Sequence, residues 1–269
     1  MKFVKYQAVG NDFIITDHAG VTPENAQILC DRHYGIGADG VLVHYQTPKA
    51  DAGMKIINSD GSAAEMCGNG LRCFAVYLIN DCGFSKNPLN IETGRGVLAV
   101  KWEKNEGAEI SVEADLGLPE VMKDLKDDEF AGVKLQTVSI SMGNPHHVVF
   151  TQTECSPDKV YAIANHFQRN NSSGIEMNVE VVTDLNVKNK SVFIVVRERG
   201  AGFTLGCGTG GAAVIHALKL KGIVYDGLWT VFFPGGEAKY KIERSGTITV
   251  SGTPEKIFSG TFEEGLFNG

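Results

Sequence analysis

Cys67-Gly68-Asn69-Gly70-Leu71-Arg72-Cys73-Phe74-Ala75-Val76-Tyr77-Leu78-Ile79 is the stretch that decides the fold of this 269-residue chain. Its apolar residues follow no single stripe. They lie on nearly every side, which is the pattern of a helix buried all round. Glycines open the segment, and a cysteine stands just before them. The arrangement returns 140 residues later, where Cys207-Gly208-Thr209-Gly210 leads into Ala212-Ala213-Val214-Ile215-His216-Ala217-Leu218. Lys219, Lys221 and Gly222 close this second segment, as cations and glycine suit a helix C-terminus.

Other landmarks repeat in the same order. Val9-Gly10-Asn11-Asp12-Phe13 is answered by Met142-Gly143-Asn144-Pro145-His146, at an offset of 133. The helix start Pro23-Glu24 is answered by Pro157-Asp158 at 134. Thr93-Gly94-Arg95-Gly96 is answered by Pro234-Gly235-Gly236-Glu237 at 141. A single Gly-x-Gly match carries little in a chain with 32 glycines, but an ordered set with slowly drifting offset indicates an internal duplication. Met54-Lys55-Ile56-Ile57, Val97-Leu98-Ala99-Val100, Ser191–Val196 and Thr247-Ile248-Thr249-Val250 read as short strands. The expected fold is α/β of the α+β type. It has two pseudo-symmetric domains, each a curved mixed or antiparallel sheet wrapped around one buried helix. Residues 1–116 with 255–269 form the half carrying Cys67, residues 117–254 form the half carrying Cys207, and Asp115-Leu116-Gly117-Leu118-Pro119 is the join.

Composition narrows the function. Hydrophobic residues are 43% and charged residues 21%, ordinary values for a globular protein. The net charge of −7 offers no basic face, so neither nucleic acid nor an anionic membrane surface is an expected partner. No apolar run nears the roughly 20 residues that span a bilayer. Asp12 and Asp17 interrupt the stretch where a signal peptide needs its apolar core, so the expected location is the cytoplasm. Six cysteines without a C-x-x-C pair fit neither a disulfide scaffold nor structural zinc. A cysteine that matters here is expected to act as a thiol.

Cys67 and Cys207 occupy equivalent places at the starts of the two buried helices. The backbone N–H groups and dipole of a helix start favour negative charge and lower the pKa of a nearby thiol. Glycines let those N–H groups approach an anion closely. If the halves face each other, one carboxylate fits between two helix starts with a sulfur on each side. A thiolate can then remove the proton alpha to that carboxylate while a thiol delivers another to the opposite face. The stereocentre inverts, and the helix starts stabilise the carbanion whose charge moves into the carboxylate. The chemistry requires no metal and no organic cofactor. Cys30, Cys73, Cys82 and Cys155 lack such a frame and read as small buried hydrophobes.

At these residues the chain resembles the diaminopimelate epimerases. The similar blocks are Gly10-Asn11-Asp12-Phe13, Asn58-Ser59-Asp60-Gly61-Ser62, Met66–Cys73, Met142–His146, and Glu198-Arg199-Gly200-Ala201-Gly202 running on to Cys207-Gly208-Thr209-Gly210. The resemblance implies a cofactor-independent epimerase of lysine and peptidoglycan-precursor biosynthesis, acting on LL- and meso-diaminopimelate. By the same resemblance Cys67 and Cys207 are the acid/base thiols, with His146 and Glu198 as their polar neighbours. Backbone groups of Gly68, Asn69, Gly208 and Thr209 cradle the reacting carboxylate. Asn11, Asn58, Asn144, Asn178, Glu198 and Arg199 bind substrate. Relatives are often homodimers. The physical sense is good: Arg199 can hold the far carboxylate in two hydrogen bonds, and the asparagines can serve either the far carboxylate or the far ammonium without adding charge. Glu198 and Asn58 each lie nine residues before their cysteine.

Gly40 departs from the family pattern, standing where some members carry glutamine, and Gly206 stands where alanine is usual. Plainer readings exist for several residues. Asn11 and Asn144 are common turn residues. His146 can be a core histidine, with His147 turned the other way by strand alternation. Asp12, Asp39 and Asp60 can cap turns, and Arg72 can pair with a carboxylate or backbone carbonyl. Rival functions are the same chemistry on histidine or hydroxyproline, and a non-catalytic amino-acid-binding protein. A nucleotide-phosphate loop is disfavoured, since no strand leads into Gly-x-Gly-x-x-Gly.

Overall fold

The computed structural model describes residues 1–107, 109–169, 176–225 and 227–263. Residues 264–269, assigned above to the first half, lie outside them. The chain divides into two compact units, Met1–Ala114 with Gly252–Gly269, and Asp115–Ser251.

The first unit begins with β1 (Lys2–Ala8), β2 (Asn11–Thr16), α1 (Pro23–Cys30), β3 (Gly40–Tyr45), β4 (Ala52–Asn58) and β5 (Ala63–Ala64). Then come α2 (Gly68–Asn80), β6 (Leu89–Thr93), β7 (Gly96–Lys104) and β8 (Ile110–Asp115). The second unit repeats this run as β9 (Glu120–Phe130), β10 (Val133–Ser141), β11 (Pro145–Thr151), α3 (Pro157–Arg169), β12 (Asn178–Asn186), β13 (Ser191–Glu198) and β14 (Gly202–Thr204). It continues with α4 (Gly208–Leu220), β15 (Leu228–Phe233), β16 (Gly236–Ile242) and β17 (Ile248–Gly252), and β18 (Glu255–Thr261) returns to the first unit.

Pairings repeat strand for strand. β2 runs parallel to β3 and β3 antiparallel to β4, as β11 is parallel to β12 and β12 antiparallel to β13. The parallel pair β4–β6 matches β13–β15, and β18 on β1 matches β9 on β10. The duplication seen in the glycine landmarks is therefore a duplication of topology.

The central strands of each unit are covered on both faces. Alternation sends Ile14, Val41, Val43 and Ile57 into a cluster with Ala26 and Leu29 of α1. Phe13 and Leu42 point the other way, toward Gly70 of α2. The second unit does the same: Val149, Val179 and Val181 pack with Ile163 and Phe167 of α3. Strands covered on both faces lose the simple polar–apolar alternation and become continuously apolar. Leu71, Phe74 and Leu78 of α2 are fully buried, each contributing about 1.5–3 kcal/mol.

The cysteines stand at the helix starts, as expected: Cys67 and Cys207 are the N-caps, and the glycines after them form the first helical turn. Helix α4 ends in a Schellman arrangement, with Gly222 at φ +70° donating to Lys219 O at 2.9 Å and Ile223 donating to Leu218 O at 2.9 Å. One expectation is corrected, for the remaining cysteines. Cys30 and Cys73 are buried, but Cys82 is exposed and Cys155 half-buried, because each lies where its helix is not enclosed: Cys82 just past the end of α2, Cys155 just before α3.

Candidate active site

Each unit assembles its own polar cluster around its N-cap cysteine. In the first unit the Gly70 amide donates to Cys67 Sγ at 3.4 Å. The Cys67 thiol donates to Asn11 Oδ1 at 3.8 Å, and Asn69 Nδ2 donates to the same oxygen at 3.3 Å. Asn11 is oriented by Asp39, whose Oδ2 accepts from Asn11 Nδ2 at 2.7 Å. Asp39 is anchored in turn: Arg32 bridges it to Asp12, and Lys5 also pairs with Asp12. Burial raises the Asp12 carboxyl, but the Arg32 and Lys5 partners outweigh it and hold that carboxyl below its usual range. Asp12 and Asp39 are thus scaffold for Asn11 rather than simple turn caps. Asp60 does cap a turn, accepting from the Ser62 amide at 2.8 Å. Asn58 donates to Ser62 Oγ at 2.9 Å. Arg72 is buried, with Gly68 O and Asn69 Oδ1 as acceptors.

The second unit gathers more ionisable groups. The Gly210 amide donates to Cys207 Sγ at 3.4 Å, and the Thr209 hydroxyl lies 3.4 Å from the same sulfur. Asn144 Nδ2 donates to Thr209 Oγ1 at 3.4 Å, and Asn144 Oδ1 lies 3.1 Å from His146 Nε2. His146 Nδ1 lies 2.7 Å from Glu180 Oε1. Strand alternation turns His147 to the opposite face, where it contacts Ser139 Oγ at 2.9 Å and packs on Phe167. Glu198 Oε1 accepts from the Thr204 hydroxyl at 2.6 Å. Asn178 Oδ1 accepts from the Arg199 amide at 2.8 Å, fixing the strand end from which Arg199 projects. The Arg199 residue itself is exposed.

Electrostatics differ accordingly. Burial, then the carboxylates of Glu198 and Glu180, push the Cys207 thiol well above its ordinary value; Thr209 and the Gly210 amide pull it down. Burial likewise raises the Glu198 carboxyl, opposed by hydrogen bonds from Thr204 and Cys207. The cluster is built to share protons, since a change on any one member alters the charge facing the others.

A family model described as diaminopimelate epimerase matches residues 3–122 and again residues 138–257, once per unit. The chain belongs to the diaminopimelate epimerase family. A diaminopimelate epimerase of Desulfitobacterium hafniense is 33% identical over 98% of this chain and 99% of that protein. That of Clostridium perfringens is 35% identical over 97% of this chain and 99% of that protein. Among solved structures, a PhzF-family phenazine biosynthesis protein from Bacillus anthracis superposes with a TM-score of 0.73 at 16% identity, covering 97% of this chain and 99% of that one. A hydroxyproline epimerase from Agrobacterium vitis, with bound trans-4-hydroxy-L-proline, gives 0.68 at 15% identity, over 97% and 90%. At these identities the two superpositions establish a shared fold.

Within this family frame, Cys207, Gly208, Thr209, Asn144, His146, Asn178, Glu198 and Arg199 belong to the second unit, and Cys67, Gly68, Asn69, Asn11 and Asn58 to the first. Gly40 pairs with Phe13 and Asn58 in the strand register, the place that Asn178 takes beside His146. The first unit thus presents no side-chain amide where the second has one. One residue escaped the sequence reading. Glu180 is fully buried (0% exposed) between Val179 and Val181, and makes the contact with His146. A carboxylate inside an otherwise apolar strand run was the available signal.

Proposed function

We propose that the chain interconverts LL- and meso-diaminopimelate by a two-base mechanism, with one acid/base thiol from each unit. The observation that carries this is the matched pair of cysteine N-caps, Cys67 on α2 and Cys207 on α4, in a chain of this family. One sulfur, as thiolate, takes the α-proton. The other, as thiol, protonates the opposite face of the planar intermediate, and the two exchange roles in the reverse direction. First-turn amides at Gly68, Asn69, Gly208 and Thr209 receive the substrate carboxylate, since helix starts present N–H groups that the helix cannot satisfy itself. They act most strongly on the carbanionic intermediate, where the carboxylate gains charge. Asn11, Asn58, Asn144, Asn178, Glu198 and Arg199 orient the distal ammonium and carboxylate. His146 and Glu198 tune the thiols.

The test is exchange of the α-proton for deuterium, followed by NMR on both stereoisomers. The wild-type chain is expected to exchange diaminopimelate and not proline, hydroxyproline or histidine. Cys67→Ala and Cys207→Ala are each expected to abolish stereoinversion with folding intact. Normal turnover in either variant would falsify the two-thiol mechanism, and turnover of a cyclic imino acid in place of diaminopimelate would move the chain to a different substrate.

A further inference from the structure

The two helix starts share a backbone plan but rest on different side chains. In the strand register, Phe13 and Leu42 of the first unit occupy the places of His146 and Glu180 in the second: Phe13 pairs with Gly40 as His146 pairs with Asn178, and Leu42 and Glu180 each follow two residues on. Under α2, Gly70 faces Leu42 and Phe13. Under α4, Gly210 faces Glu180, whose Oε1 lies 2.6 Å from where a Cβ would stand. The apolar pair of one unit has been replaced by a buried acid and base in the other.

Hydrogen-bond direction then fixes a proton count. Asn144 Nδ2 donates to Thr209, so Asn144 Oδ1 faces His146 Nε2 at 3.1 Å and can only accept. His146 Nε2 therefore carries hydrogen. At 2.7 Å, Nδ1 and Glu180 Oε1 must also share a proton, because two bare acceptors repel at that distance. Imidazolium with carboxylate and imidazole with carboxylic acid are equivalent in count, and both are neutral overall. The opposite orientation of the Asn144 amide would leave a net negative charge on two residues that are each 0% exposed. Glu180 Oε2 has no hydrogen-bond partner among the described residues, so a lone buried anion there would be uncompensated and costly.

We propose that Glu180 is a positioning residue that holds a shared proton with His146 and, through Asn144, turns the Thr209 hydroxyl to donate to Cys207 Sγ. With Asn144 Nδ2 occupying a lone pair of Thr209 Oγ1, the hydroxyl hydrogen is left for the sulfur. That donor stabilises the Cys207 thiolate, and the shared proton offsets the charge with which the Glu180 carboxylate pushes the thiol up. At Cys67 the thiol donates to Asn11 Oδ1 and the Gly70 amide donates to the sulfur. The charged groups acting on Cys207 are Glu180 from β12 and Glu198 from β13; His146 from β11 acts on Glu198, and Tyr240 of β16 donates to Gly208 O at 3.1 Å. The inference rests on the two-thiol reading for its purpose, but its test reads Cys207 directly.

The experiment is the pH dependence of Cys207 alkylation by iodoacetamide in the full chain, with the Cys207 peptide quantified by mass spectrometry. Glu180→Leu copies the first unit and removes the proton partner. His146 Nδ1 then has no donor, the Asn144 amide turns over, and Thr209 donates to Asn144 instead of sulfur. The alkylation midpoint is expected to rise by about one pH unit, roughly tenfold slower reaction below it. Glu180→Gln can donate to Nδ1 as the shared proton does, so its midpoint is expected to stay at the wild-type value. A midpoint that falls in both variants means that Glu180 is a bare carboxylate repelling the thiolate, and overturns the proposal. An unchanged midpoint in Glu180→Leu overturns it too. Should Glu180→Leu fail to fold, 15N NMR of histidine in the wild-type chain decides: an unprotonated His146 Nε2 refutes it and a protonated one supports it. Undiminished turnover in Glu180→Leu alongside the expected alkylation shift would count against the two-thiol reading alone.

Discussion

Replacing Gly210 and Gly70 by alanine, one at a time, tests the packing beneath the two helix starts. Both glycines occupy the third residue of their helices, so alanine gains up to about 1 kcal/mol of helix propensity at each. The surroundings differ. At Gly70 the added Cβ meets Leu42 Cδ2 at 3.4 Å, Cys67 Cβ at 3.5 Å and Phe13 Cζ at 3.5 Å, which is ordinary contact. At Gly210 it meets Glu180 Oε1 at 2.6 Å and Cδ and Cγ at 3.1 Å. A flexible side-chain end would move aside, but Glu180 is fully buried and tied to His146 at 2.7 Å. Overpacking of this kind costs about 1–3 kcal/mol. Breaking the His146 contact to relieve it adds the cost of a buried unpaired polar group, again about 1–3 kcal/mol. Gly70→Ala is therefore expected to be neutral or mildly stabilising, and Gly210→Ala to lose roughly 1–3 kcal/mol net.

Urea denaturation followed by circular dichroism measures both. The decisive comparison is a double-mutant cycle with Glu180→Ala, which removes the clashing atoms. In that background Gly210→Ala is expected to cost no more than Gly70→Ala, a coupling of about 1–3 kcal/mol between contacting residues. Equal tolerance of the two alanines in the wild-type background, or the same Gly210→Ala cost with and without Glu180, would refute the packing argument.

Three further outcomes are expected. Cys67→Ser keeps an N-capping side chain, so helix α2 should hold or gain up to about 1 kcal/mol, while deuterium exchange at the α-carbon falls at least about 100-fold; retained exchange would remove Cys67 from the chemistry. Burial pushes the Cys30 thiol up to about 12 and raises Cys73, Cys207, Tyr6 and Tyr77 above their ordinary values; such groups hold protons more tightly folded than unfolded, so urea midpoints should drop steadily as pH climbs past about 9, by up to about 1.4 kcal/mol per pH unit for each titrating group, and a flat alkaline profile would contradict this. Burial lowers His147 to about 4, so its contribution is present above its unfolded value near 6.5 and lost as pH falls from there toward 4, on the order of 3 kcal/mol; His147→Gln should flatten that acid limb, and an unchanged limb would exclude His147 as its source.

Much of the architecture was legible because the duplication repeats the features that set local structure. Apolar residues all round Leu71–Ile79 and Ala212–Leu218 allow only buried helices, and the glycines before them mark the starts. Periodicity did not reveal that the cysteines themselves cap those helices, since thiols are not usual N-caps. Cys82 and Cys155 were misjudged because burial depends on where a helix leaves the sheet, which no local pattern records. The polar clusters were half legible. Asn11, Asn144 and His146 stand next to glycine or proline turns, but their partners Asp39 and Glu180 lie 28 and 34 residues further on. The parallel pairings β2–β3 and β11–β12 bring them back, each across an intervening helix.

Duplication followed by divergence also explains why the two halves need not be chemically alike. On the two-thiol reading proposed above, a proton passes in at one face and out at the other, which needs two thiols in different protonation states at the same moment. Identical environments would leave both as thiols or both as thiolates for much of the time. Copying the backbone supplies two equivalent sulfurs, each with a main-chain donor at 3.4 Å. The asymmetry has to come from side chains behind them. In the first unit those are Phe13 and Leu42, with the amide of Asn11 at the thiol. In the second they are His146 and Glu180, with Glu198 alongside. Polarity changes on both faces of the strands: Phe13 and Leu42 give way to His146 and Glu180 beneath the helix starts, and Ile14 and Ile57 give way to His147 and Arg197 toward α3. On the two-thiol reading, the change that matters is the one beneath the helix starts, where a buried acid and base in one half stand in the places of Phe13 and Leu42 in the other and make the two sulfurs inequivalent.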